Sequence, residues 1–139
     1  AAMYREQFRP SRALAEPKVN VTIHVMCAPT EEEARFLAAS RNLSKARFVL
    51  GLGFGEGLLP PEEAQAVELT DDAREYVERS GQSYIDGSPT QVRDGILAAA
   101  ERYGTDDIGI VTNCYAFEDR VRSFELVAEA FGLTREDGA

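Results

Sequence analysis

Tyr84-Ile85-Asp86-Gly87-Ser88-Pro89-Thr90-Gln91-Val92, read with Ile108-Gly109-Ile110-Val111 downstream, constrains the fold more than any other part of this sequence. It spells strand, cap, helix, strand. Ser88 suits an N-cap, Pro89 occupies the first helical position where its missing N–H costs nothing, and Gln91 can reach back to close a capping box. Val92, Ile96, Leu97, Ala100 and Tyr103 then recur close to the repeat of about 3.6 residues, and Gly104 supplies a left-handed stop. The run Ile108 to Val111 is short, β-branched and almost continuously apolar, as a parallel strand covered on both faces should be. The stretch is a βαβ unit.

The chain before it repeats the theme. Residues 1–9 have helical composition without an N-cap and are closed by Pro10, so they read as the tail of a helix in a natural chain that extends upstream. Over residues 19–27, Val19, Val21, Ile23 and Val25 alternate with Asn20, Thr22, His24 and Met26. Such alternation predicts a strand with an aliphatic face toward helices and a second face toward a barrel interior or solvent. Pro29, Thr30 and Glu33 predict a second capping box, opening a helix that turns Ala34, Leu37, Ala38, Leu43 and Ala46 inward. Residues 51–69, with Gly51, Gly53, Gly55, Gly57, Pro60 and Pro61, carry loop chemistry longer than an ordinary connection. Thr70 caps a short polar helix ending near Ser80-Gly81, so residues 51–80 form an insertion. Phe117, Val121, Phe124, Leu126 and Val127 predict a last amphipathic helix stopping at Gly132, followed by a mobile charged tail over 134–139.

At 139 residues the chain is expected to form a single α/β domain with its own core. A net charge of −9 leaves no basic stripe for a phosphate backbone, which argues against a nucleic-acid partner. No apolar run approaches the roughly 18 residues of a membrane span, and no signal-peptide pattern is present, so a cytoplasmic protein is expected. The carboxylates of Glu31-Glu32-Glu33 and Asp71-Asp72 fall in first turns of helices, where they favour the helix dipole. Cys27 and Cys114 match no zinc spacing, so no metal is expected and both thiols are read as reduced.

The glycines of Gly51-Leu52-Gly53-Phe54-Gly55-Glu56-Gly57 fall at every second position and follow a helix, unlike a dinucleotide fingerprint, and no Lys-Ser/Thr pair makes a phosphate loop. A flexible loop or lid is the reading. His24, the single histidine, lies on the polar face of the first strand, where a hydrogen-bonded structural role is the commoner one. Ligands of parallel α/β folds bind beyond the carboxyl ends of the strands. Here those ends are Met26-Cys27-Ala28, Asp86-Gly87-Ser88 and Thr112-Asn113-Cys114-Tyr115. Asn113 can either orient a ligand or cap the last helix, and the free N–H groups behind Ser88 can hold a phosphate. No catalytic triad can be assembled, and no catalytic residue is assigned.

Several segments in order carry a resemblance. Tyr4-Arg5-Glu6-Gln7-Phe8-Arg9-Pro10-Ser11, Ala28-Pro29-Thr30-Glu31-Glu32-Glu33-Ala34-Arg35, Gly57-Leu58-Leu59-Pro60-Pro61, Gly87-Ser88-Pro89-Thr90-Gln91-Val92 and the run from Arg120 to Leu133 resemble the bacterial luciferase-like flavin-dependent monooxygenases. The family fold is a (β/α)8 barrel of roughly 250 residues, too long for this chain. The resemblance therefore implies an incomplete (β/α)8 TIM-type barrel, the C-terminal three-eighths, with about three parallel strands and covering helices. It implies reduced FMN, or a deazaflavin in a related branch, as cofactor, and oxidation with O2 of an aldehyde or other small organic substrate in the intact enzyme. The cofactor does the hard chemistry there and the protein positions and shields it. Met26, Cys27, Thr112, Asn113 and Tyr115 are the positions that would face flavin or substrate, while His24 does not match the family's catalytic histidine. A piece of a barrel would have an open inner face, which predicts a homo-oligomer and little activity alone. The alternative is a non-catalytic flavin- or ligand-binding module, or an oligomerisation domain, derived from the same barrel.

Overall fold

A computed structural model describes residues 1–53 and 57–133, so the expected tail over 134–139 and part of the expected lid lie outside the described residues. Along the chain run α1 (Ala2–Gln7), β1 (Val21–Cys27), α2 (Glu31–Val49), α3 (Pro61–Ala66), α4 (Asp71–Gly81), β2 (Ile85–Gly87), α5 (Pro89–Tyr103), β3 (Ile108–Val111) and α6 (Phe117–Ala130). The local signals act as their chemistry demands. At the start of α5, Gln91 N–H reaches Ser88 Oγ while Gln91 Oε1 accepts from Ser88 N–H at 2.9 Å, closing the capping box. Gly104 ends the same helix at φ +59°. Thr30 and Thr70 accept from Glu33 N–H and Ala73 N–H at the starts of α2 and α4. The stretch expected to be loop contains α3, a short helix opened by Pro61 at its first turn.

All three strands are parallel, and their order across the sheet is β2-β1-β3. Val25 and Cys27 pair with Ile85 and Gly87 on one side of β1; on the other, Val21 and His24 pair with Ile108 and Val111. Successive strands of a barrel wall pair in chain order. Here the first strand is central, so the three parallel strands and their covering helices are present but lie in an open sheet. The reason lies in β2 and the crossover that follows it. β2 is three residues long and pairs only with the carboxyl end of β1, while the α5 crossover delivers β3 to the other edge.

The two faces of β1 are packed differently. Ile23, Val25 and Cys27 join Ile85, Ile108 and Ile110 against Val92 and Ile96 of α5 and Leu126 and Val127 of α6. Burying each such aliphatic side chain contributes about 1.5–3 kcal/mol before entropy is counted. On the opposite face Met26 is fully buried against Ala34 and Ala38 of α2. The face expected to open into a barrel lumen is thus closed by α2 at its carboxyl end, while Asn20 and Thr22 stay exposed at the other end. This removes part of the case for self-association. The predicted inward stripes also shrink, since Leu97 of α5 and Phe117, Val121 and Phe124 of α6 are exposed. Among the described residues, no helix is long and apolar enough to cross a membrane, and no group of three His, Cys, Asp or Glu could hold a metal.

Candidate functional site

The carboxyl end of β1 and the neighbouring β2 pack on α2, which brings in residues that strand-end logic alone does not name. Along α2, Ala34 and Ala38 face the sheet, and the same stripe continues through Arg41 and Lys45 at helical spacing. Arg41 is almost wholly buried. Its Nη1 and Nη2 donate to Asp86 Oδ1 and Oδ2 of β2 at 3.0 and 2.6 Å, a bidentate pair, and Nε and Nη2 donate to Asn42 Oδ1. The guanidinium lies 4.3 Å from the centre of the Tyr84 ring, which adds a cation–π contact.

One turn further on, Lys45 Nζ lies 3.3 Å from His24 Nε2. An ammonium can only donate, so Nε2 accepts and the proton of the neutral ring belongs on Nδ1. Burial holds the His24 pKa below its usual 6.5, the Lys45 and Arg41 charges lower it further, and Asp86 opposes them. The ring packs edge-on against Tyr84, with centres 5.2 Å apart. His24 is therefore neutral and held in place.

A cavity of about 380 Å³ opens beside this cluster, lined by Arg41, Ser44, Lys45, Gly57, Leu58 and Asn113. Of the five strand-end candidates, Asn113 alone is in that lining. The N-cap of α6 is Ala116, without a side-chain cap bond, so the amide of Asn113 has no capping duty. Its neighbour Thr112 is buried, and Thr112 Oγ1 finds no hydrogen-bond partner. Tyr115 is exposed and outside the lining. Met26 and Cys27 are enclosed, Met26 under α2 and Cys27 under α5 and α6, so neither side chain offers surface to a ligand. Burial also pushes the Cys27 thiol up to about 11, which leaves it unreactive.

The start of α5, expected to suit a phosphate, is already served. Gln91 Nε2 donates to Glu31 Oε2 of α2 at 2.7 Å, which sets a carboxylate beside that helix end.

The similarity of the chain to known proteins runs along nearly its whole length. No family model matches it. It is 36% identical over 129 residues to the uncharacterized protein YceB of Bacillus subtilis (strain 168), and 30% identical over 128 residues to YwcH of the same strain. A protein of Escherichia coli (strain K12) with the name luciferase-like monooxygenase is 25% identical over 128 residues. Distant homologues of the chain thus carry that name. The chain spans a little under two fifths of these relatives, 37–38% of their length. In the crystal structure of apo-MsnO8 it finds a match with a TM-score of 0.79 and 30% identity, covering 96% of this chain and 40% of that one. The fold recurs as part of a larger chain.

Proposed function

We propose that the chain is the C-terminal portion of a luciferase-like flavin-dependent monooxygenase and contributes one wall of its flavin site. The observation that carries the reading is the alignment of 91% of the chain with a protein of that name. The site is chemically compatible with the cofactor. A cavity of about 380 Å³ lies within the size range of small-molecule sites, and the Asn113 amide and Lys45 ammonium that both line it suit the polar, electron-rich edge of a reduced flavin. Thr112 Oγ1, buried and unpartnered next in the chain, is a further group with hydrogen-bonding capacity to spare. Reduced FMN, or a deazaflavin, supplies the redox chemistry on an aldehyde or other small organic substrate when bound. The chain's own residues have simpler tasks: Asn113 orients, Lys45 supplies positive charge, and α2 keeps water from the carboxyl end of β1.

Titration of the 139-residue chain with oxidised and reduced FMN under anaerobic conditions, followed by calorimetry, tests this reading. Saturable binding at micromolar affinity is expected, about tenfold weaker in N113A if one hydrogen bond to a charged or polarised edge is lost. No binding in either redox state overturns the assignment of part of the flavin site to these residues.

A further inference from the structure

Among the described residues, three buried polar side-chain atoms lack a hydrogen-bond partner: His24 Nδ1, Ser40 Oγ and Thr112 Oγ1. None of the three lines the cavity itself, but each is one residue or one hydrogen bond away from a residue that does. Ser40 precedes Arg41, Thr112 precedes Asn113, and His24 is bonded to Lys45. Buried polar groups are nearly always satisfied, so three orphans in the layer behind one cavity mark a region with hydrogen-bonding capacity unused.

The charges there are unbalanced as well. Arg41 and Lys45 both line the cavity, and both carboxylate oxygens of Asp86 are taken by Arg41. Lys45 has three donors and spends one on His24, and no Asp or Glu among the described residues pairs with it. In a chain with 24 acidic residues and a net charge of −9, carboxylates are abundant, yet this lysine at a cavity has none among the described residues. The arrangement presents positive charge with donors to spare.

We propose that the cavity between α2 and the β3 end is an oxyanion site, in which Lys45 Nζ and the Asn113 amide bind a carboxylate or phosphate group of a ligand. The Arg41–Asp86 pair fixes the floor. Because its charges cancel, it holds α2 in register and leaves Lys45 as the uncompensated charge. The proposal uses the same cavity and donors as the flavin reading but does not require it: a chain that bound phosphate here but no FMN would retain the one and lose the other.

His24 makes the test direct, because it is the single histidine and its Nε2 touches Lys45. Its ring resonances are followed by NMR while inorganic phosphate or acetate is added at constant ionic strength, with chloride as the control. A saturable shift with phosphate or acetate but not chloride is expected, and the stronger of the two probes identifies the ligand group as phosphoryl or carboxyl. K45Q should weaken the apparent affinity at least tenfold, and K45R should restore most of it. N113A should weaken it severalfold with the His24–Lys45 contact intact, and R79Q, on the exposed side of α4, should leave it unchanged. A shift that merely follows chloride, or an affinity unaltered in both K45Q and N113A, overturns the proposal.

Discussion

The two faces of β1 solve the same burial problem with different chemistry. Toward α5 and α6 the strand presents Ile23, Val25 and Cys27 to other aliphatic side chains. That packing is non-directional and tolerant of small shifts. Toward α2 it presents Met26 to two alanines and His24 to Lys45, beside the buried Arg41–Asp86 pair. Directional bonds there allow one geometry only. The aliphatic face holds the sheet together, and the polar face fixes where its side chains stand.

The largest way to break this contrast is R41A. Removing one partner of a buried ion pair strands the other charge, at a cost of about 3–5 kcal/mol. Urea unfolding at pH 7 should show that loss, and R41M/D86L should recover most of it. If the double variant remained as unstable as R41A, the pair would be stabilising in its own right. G95A addresses the aliphatic face. A Cβ on Gly95 of α5 would come within 2.8 Å of Ile85 Cγ2, and overpacking costs about 1–3 kcal/mol against a helix-propensity gain of up to about 1. A net loss is expected in the same unfolding assay; a gain would mean that this face is loosely packed. The smallest effect is a pH slope from His24. Its folded pKa lies below 6.5, so below that pH the unfolded chain binds more protons than the folded one, and stability falls as the solution is acidified through the folded value. Wild type should therefore lose more stability than H24Q between pH 7 and pH 5.5. Parallel curves for the two proteins would show that the ring is not held neutral.

Much of this contrast can be read from the sequence because it is local. The period of two in β1, the caps at Thr30, Thr70 and Ser88, and the stop at Gly104 each act within a few residues of where they are written. Strand order is different. Whether β3 pairs with β2 or with β1 depends on how the α5 crossover packs, and no residue of β3 records that choice. Arg41 and Lys45 were missed as site residues for a related reason, since charges on a long helix read by default as its solvated side. The signal that could have found them is their place on the stripe of Ala34 and Ala38, where a charged side chain must meet a partner or a ligand. Met26 and Cys27 show the converse: a strand end is a good address for a ligand only where no helix covers it.

The central position of β1 also sets a timetable. Asn20, beside the start of β1, bonds to Asp107, 87 residues later and just ahead of β3. At synthesis rates of about 5–20 residues per second, β1 leaves the ribosome roughly 4–17 s before its second neighbour exists. For that interval an apolar strand must wait with at least one edge unpaired, so the order β2-β1-β3 makes a holding chaperone most useful during synthesis of the second half of the chain.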